Sequence, residues 1–296
     1  MIAKFLFRLF AKLSLPANHR VGSYLGWWSG LLLSRLHENT RSNLIEYAEH
    51  TGKQLKPADL SVAFREQGKG LTELAIAWTA PVERLNEMFE PCASWPLVES
   101  AKAAGKPIIF VSPHLGCFDI AGRYVANRIP ITAMYRPPKQ RWLQPIMEAG
   151  RARGGATMVP ADGSGIRDLL RTLKQNGNIM ILPDQVPSAQ KGGEGVWVPF
   201  FGKPAYTMTL LPRLAAASGA IVLFFFAERL PQGRGFRMHF VSMDEPYSDD
   251  KFTAARQTNA MVEKLVSLAP EQYLWGYNRY KRPAGAPPAP DGLEAT

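Results

Sequence analysis

The hydrophobic pattern changes period near residue 107. Beyond it, short apolar β-branched runs alternate with segments of helical period. The runs 107–113, 130–135, 156–159, 178–183, 220–227 and 236–242 read as strands, and 118–128, 139–152, 164–175, 207–218 and 252–269 as helices. Such alternation predicts an α/β fold, a mostly parallel mixed sheet flanked by helices. Phe224-Phe225-Phe226 lies in a run too apolar for a one-sided sheet and suits a central strand buried on both faces. The segment 192–207 is glycine-rich and then apolar, and reads as a flexible lip followed by an apolar wall of Val196, Trp197, Val198, Phe200 and Phe201. Gly192, Gly193 and Gly195 do not lead a strand into a helix at nucleotide-motif spacing, so a phosphate loop is unsupported.

Ahead of the alternating region the pattern is helical. Residues 37–105 form a helical connector region, with Leu71, Leu74, Ala75 and Trp78 at core spacing and Pro81 and Pro91 as punctuation. The first 36 residues differ again. Lys4, Arg8 and Lys12 recur every four residues on one helical face while Ile2, Phe5, Leu6, Leu9 and Leu13 fill the other. That is the pattern of a basic amphipathic helix on an anionic membrane. Val21–Ser34 is uncharged and carries Trp27 and Trp28, yet its 14 residues fall short of the roughly 20 a spanning helix needs. The reading is a membrane-associated N-terminal segment, interfacial or a short tilted anchor, with a hairpin packed on the domain as the structural alternative. The chain then divides into 1–36, 37–105, a catalytic α/β domain over 106–282, and a Pro/Ala/Gly-rich tail over 283–296 that reads as disordered.

Charge narrows the partners. A net charge of +10 argues for an acidic one: nucleic acid, anionic lipid or an acidic protein. No recognition-helix or RNA-binding signature accompanies it, which weighs against nucleic acid. Cys92 and Cys117 are distant and in no metal-ligand spacing, so neither a disulfide framework nor a zinc site is supported. A reducing, cytosol-facing setting fits best.

Candidate chemistry gathers on the loops that follow strands, where open α/β sheets bind ligands. His114 and Asp119 lie five residues apart in PIIFVSPHLGCFDIAGRY. On one continuous helix they would diverge by about 140°. With His114 on the loop and Asp119 in the first helical turn, both face one crevice. Imidazole titrates near neutrality and can take a proton from a hydroxyl. Asp119 would hold its other nitrogen, as the aspartate of a serine hydrolase does. Arg136 ends the second strand before Pro137-Pro138 and suits a phosphate or oxyanion. Lys139, Arg141, Arg151 and Arg153 add charge beside it, and Arg123 shares the helix that carries Asp119. Asp184 and Gln185 follow the fourth strand on the same rim, where a carboxylate could orient Arg136 or bind a substrate hydroxyl.

HLGCFD resembles the H-x4-D/E signature of acyltransferases that acylate glycerolipids and lipid A. With MYRPP, LPDQVP, VPFFGKPAYT and EQYLWGYNRYKRP following in order, the chain resembles the lipid A late acyltransferases from its basic N-terminus to Arg282. The resemblance implies a glycerolipid-acyltransferase-like fold on the cytoplasmic face of a bacterial inner membrane. It implies His114 as base, Asp119 as acidic partner and Arg136 as a substrate or oxyanion residue, with Asp184 and Gln185 near the site. The acyl donor would be acyl carrier protein, with coenzyme A left open. The acceptor would be a hydroxyl of an anionic lipid A precursor, and no metal or cofactor is called for. Arg136 or backbone amides near Gly116 would stabilise the oxyanion, and the apolar wall with Trp197, Phe200 and Phe201 could hold the acyl chain or simply be core. Lipid A enzymes usually carry Glu where Asp119 stands, which leaves a glycerolipid acyltransferase as the alternative. A non-catalytic basic module and a thioester hydrolase are the other classes in competition.

Overall fold

The computed structural model describes residues 2–138, 140–188, 192–290 and 292, with the backbone alone for residues 2–4. Lys139 lies outside them. All six expected strands form, as β1 (Ile108–Val111), β2 (Ile131–Tyr135), β3 (Ala156–Pro160), β4 (Asn178–Ile181), β7 (Ile221–Arg229) and β8 (Phe236–Ser242). They make one sheet in the order β3-β2-β4-β1-β7-β8. The first five run parallel and β8 returns antiparallel on β7, so the sheet is mixed.

Central position explains the apolar runs. On β1, Ile109 and Val111 face one core with Phe224, Phe226 and Val262, while Ile108 and Phe110 face another with Phe225, Ile120 and Val125. A strand buried on both faces shows no polar alternation. Helices α7 (Phe118–Ala126) and α8 (Gln144–Ala152) cover one side near β2, and α9 (Gly163–Lys174), α10 (Leu210–Ser218) and α11 (Lys251–Val266) complete the helical layers. Asp162 and Asp250 start α9 and α11 by accepting bonds from first-turn amides, as N-caps do.

The expected apolar wall after the glycine-rich lip is one strand of a hairpin. β5 (Gly195–Phe200) and β6 (Lys203–Met208) pair antiparallel, and Phe201, at φ 45°, turns the chain together with Gly202. Pro199 and Pro204 face each other across it, and two prolines in a pair of strands obscured the strand pattern in the sequence. The expected disorder of the tail does not extend to its first part either. Ala286 is buried and the Trp197 indole donates to Pro287 O at 2.9 Å.

The N-terminal region is a helical layer: α1 (Ile2–Lys12), α2 (Leu15–Leu32), α3 (Ser34–Thr51), α4 (Pro57–Thr79), α5 (Val82–Asn86) and α6 (Trp95–Ala103). Gly22, Gly26 and Gly30 recur every four residues along one face of α2, and Gly68 of α4 meets them. A Cβ on Gly26 would lie 2.0 Å from Phe64 O, and one on Gly68 2.0 Å from Gly22 O. The two helices therefore pack backbone to backbone, as small-xxx-small stripes allow. The opposite face of α2 exposes Tyr24, Leu25, Trp28, Leu31 and Leu32. Among the described residues no helix is long and apolar enough to cross a membrane.

A buried ion network ties this layer to the sheet. Arg229, closing β7, donates to Glu73 Oε1 and Oε2 at 2.6 and 2.7 Å and to Glu66 Oε2 at 2.8 Å. His19 of α2 lies 2.6 Å from Glu73 Oε1. Burial alone would raise the Glu73 carboxyl, but Arg229 and His19 outweigh it and hold it at about 2.

Candidate active site

The end of β1 delivers the histidine. Ser112 N–H still pairs with Ile181 O at 3.1 Å, and Pro113 then breaks the ladder. The loop after it is held on both sides. Gly116 N–H donates to Gln272 O at 3.1 Å, Cys117 N–H to Ala227 O at 3.3 Å, and Leu274 N–H to His114 O at 3.0 Å. Gly116 sits at φ 59° against Ala227 O, where an added Cβ would come within 2.0 Å. Only glycine suits that turn. These bonds also correct an expectation, because the Gly116 amide is already engaged and is not directed at a substrate oxyanion.

The carboxylate that holds His114 is Asp184, not Asp119. His114 Nδ1 lies 2.7 Å from Asp184 Oδ1, and the His114 amide donates to Asp184 Oδ2 at 2.9 Å. An ionised carboxylate only accepts, so the ring proton sits on Nδ1 and the lone pair on Nε2. Gln185 Nε2 approaches that lone pair at 3.1 Å as a donor. Asp184 is buried, which on its own would raise its carboxyl. Attraction to the His114 ring and both His114 hydrogen bonds, with Arg279 beyond, outweigh burial and hold it below the usual carboxylate range. The imidazole side chain stays 14% exposed and packs edgewise near Phe118, with ring centroids 4.9 Å apart.

Asp119 has a different partner. It accepts a two-pronged bond from Arg151 of α8, at 2.7 Å from Nε and 3.1 Å from Nη2. Burial would lower the Arg151 guanidinium, but Asp119 raises it. The pair ties α7 to α8 across a cavity that both residues line. Arg123 is turned elsewhere: its Nη1 donates to Ala77 O and Ala80 O at 2.7 and 2.8 Å, closing the end of α4. Burial, with Arg153 near, lowers it to about 10. Arg136 is exposed at the mouth of the same cavity and forms no ion pair among the described residues.

Two cavities meet at His114. The first, about 330 Å³, runs between β2, β3, β4, α7 and α8 and is lined by Met134, Met147, Met158, Met180 and Met208. That size lies at the small end of ligand pockets. The second, about 530 Å³, lies between the His114 loop and helices α2 and α4. His114, Phe118, Asp119 and Gln185 border both. Trp197, Phe200 and Phe201, expected as the acyl wall, line neither. They are buried in the packing of the hairpin, Phe200 and Phe201 against α11 and Tyr273 and Trp197 against Tyr206. The apolar lining beside His114 comes instead from five methionines, unbranched and polarisable side chains that adapt to irregular space.

The sequence profile of the bacterial lipid A biosynthesis acyltransferases matches residues 2–282. The chain belongs to that family. It is similar to the lipid A biosynthesis lauroyltransferase of Escherichia coli (strain K12), 27% identical over 282 residues that cover 94% of this chain and 90% of the relative. The palmitoleoyltransferase of the same organism is 27% identical over 283 residues, 94% of this chain and 89% of that protein. A lipid A biosynthesis acyltransferase of Haemophilus influenzae is 26% identical over 275 residues, 92% of this chain and 84% of the relative. As a member of this family the protein is an acyltransferase, and the methionine-lined cavity beside its histidine suits that chemistry.

What the sequence missed is the strand order. Asp184 and Gln185 were placed on the correct rim but given to Arg136 or a substrate. β4 lies directly beside β1, which brings the loop after β4 onto the His114 ring. Arg151 was read only as added charge. Its place opposite Asp119 follows from α8 crossing α7.

Proposed function

We propose that the protein moves a fatty acyl chain from an acyl carrier protein thioester to a hydroxyl of a lipid A precursor, with His114 as base and Asp184 as its carboxylate partner. The observation that carries the reading is a ring whose Nδ1 proton is committed to Asp184 while Nε2, met by the Gln185 amide, lies where two cavities join, so that an acceptor hydroxyl replaces that amide there. The acceptor hydroxyl gives its proton to Nε2 as its oxygen attacks the thioester carbonyl. Asp184 stabilises the imidazolium that forms. Collapse of the tetrahedral intermediate breaks the carbon–sulfur bond, and the departing thiolate takes the proton from Nε2. The products are an ester and a carrier thiol. Arg136 at the cavity mouth, and the Gln185 amide once the acceptor hydroxyl has replaced it at Nε2, are the donors for the developing oxyanion, and Asp119 acts through Arg151 on the shape and charge of the cavity. The methionine-lined cavity takes the donor's chain.

The fold supports the same reading as a glycerolipid-acyltransferase-like sheet with an N-terminal layer seated on an anionic bilayer. Phe5, Leu6 and Leu9 of α1 and Trp28, Leu31 and Leu32 of α2 are exposed, with Arg8, Lys12, Arg20 and Arg35 exposed among them. That mixture suits an interfacial position on the cytoplasmic face of the inner membrane. The test is mass spectrometry of lipid A from cells with and without the protein, alongside His114→Ala. Gain of one acyl group with the wild type and its loss in the variant is expected. Unchanged lipid A with newly acylated phospholipid would transfer the protein to the glycerolipid branch. Thioester loss without any acylated product would make it a hydrolase.

A further inference from the structure

The reaction leaves one cavity without an occupant. If the donor's chain fills the methionine-lined cavity, the hydroxyl must reach His114 from the other side. That side is the larger cavity between α2, α4 and the His114 loop. We infer that this second cavity binds an alkyl chain of the acceptor lipid, which enters over an exposed leucine rim; the inference rests on the acyl-transfer reading above.

Three features carry it. Leu25, Leu33, Leu36, Leu71 and Leu74 line its side along α2, α3 and α4, the polar side chains gather towards the His114 loop and around Glu66 and Gln67, and no Lys or Arg is among its described residues. A phosphate would meet the carboxylates of Glu66 and Asp119 and no cation, whereas an alkyl chain along the leucines gains about 0.8 kcal/mol per buried CH₂. Second, the rim is uncovered: Leu33 is 55% and Leu71 64% exposed although both belong to the lining. Exposed leucines grouped at a cavity mouth mark a surface that meets another apolar body. Leu32, beside Leu33, is 73% exposed and continues the rim towards the outer face of α2. Third, the cavity is continuous with the chemistry, because His114, Phe118 and Gln185 form its inner end. A chain drawn up along α2 would lead the hydroxyl-bearing part of the same molecule to Nε2.

Gly70 supplies the test. It lies on α4 in the cavity lining, and an added Cβ there meets nothing nearer than Arg229 Nη2 at 3.6 Å. Gly70→Leu fills the cavity without forcing the backbone and removes a helix-interior glycine. Initial rates are measured with acyl carrier protein thioesters and a lipid A precursor, then with precursors whose chains are progressively shortened. Gly70→Leu is expected to raise the acceptor KM at least about tenfold, keep the donor KM within about twofold, and regain rate on the short-chain acceptors. Leu71→Glu, on the exposed rim where folding is insensitive, is expected to raise the acceptor KM without that rescue. Either a shift in donor chain-length preference or unchanged acceptor KM in both variants overturns the inference. Absence of transfer by the wild type, or full transfer by His114→Ala, would instead overturn the acyl-transfer reading itself.

Discussion

Among individual residues, the distinction that matters is between two aspartates that the sequence could not tell apart. Asp184 fixes the tautomer of His114, so Asp184→Asn should lower kcat by about 10³-fold or more while substrate KM values change little. Asp119 balances a guanidinium, and Asp119→Asn strands Arg151 in a largely buried setting. Breaking such a pair costs about 3 kcal/mol when fully buried and less here, where Arg151 keeps some exposure. Thermal unfolding separates the two cases: Asp119→Asn should lower Tm by several degrees as well as activity, whereas Asp184→Asn should chiefly lose turnover. Equal turnover in Asp184→Asn and wild type would remove Asp184 from the mechanism. Glu73 gives a second test through pH. Its carboxyl is held at about 2 against an ordinary 4.5, so its ion pairs stabilise fully above 4.5 and are lost as pH falls towards 2. The contribution at stake is about 3 kcal/mol. Denaturant titrations should therefore show wild-type stability falling more steeply than that of Glu73→Gln between about pH 5 and pH 2. Parallel curves would mean the pair carries no such term.

Elements differ in how plainly the sequence announces them. The six sheet strands are legible because they are short apolar runs between turn residues, and in β1 and most of β7 burial on both faces leaves no polar position to confuse the period. The β5–β6 hairpin is not legible, since Pro199 and Pro204 interrupt it and its turn uses Phe201 at positive φ where glycine would be expected. The histidine loop could be placed at the end of a strand, but its partner could not, because nothing in the order of strands along the chain says that β4 lies beside β1. The glycine stripe of α2 is visible in the sequence as Gly22, Gly26 and Gly30, yet reading it requires knowing that α4 brings Gly68 against it. Gly26→Ala places a methyl 2.0 Å from Phe64 O, which the helices can relieve only by separating. Overpacking of this kind costs about 1–3 kcal/mol. The expected result is a Tm lower by about 4 °C or more and faster proteolysis within the N-terminal helices. Because α2 and α4 frame the second cavity, the acceptor KM should rise in the same variant. An unchanged Tm would show that the close approach is not needed to hold the layer.

For the molecule as a whole, apolar exposure and charge point to the same surface. Trp28 is 52% exposed and sits among Tyr24, Leu25, Leu31 and Leu32, on the face of α2 opposite its glycine stripe. In the function proposed above, a net charge of +10 would draw such a surface to anionic lipid and also to an acidic carrier protein. The two attractions differ in origin and so in their response to salt. Charge attraction is screened within about 10 Å at 0.1 M salt, whereas burial of tryptophan and leucine in the interface is not. Flotation with vesicles of anionic phospholipid should therefore show binding that weakens with salt but persists at high salt. Trp28→Glu together with Leu31→Glu removes about 1.5–3 kcal/mol of apolar burial for each side chain and adds repulsion from the lipid. Binding should fall at least about tenfold, since 1.4 kcal/mol already corresponds to that factor. Acceptor acylation on vesicles should fall with it, while turnover of a detergent-dispersed acceptor is retained, because neither Trp28 nor Leu31 lines either cavity. Undiminished vesicle binding by the double variant would show that the N-terminal helices are held by the protein alone and that the bilayer is met elsewhere.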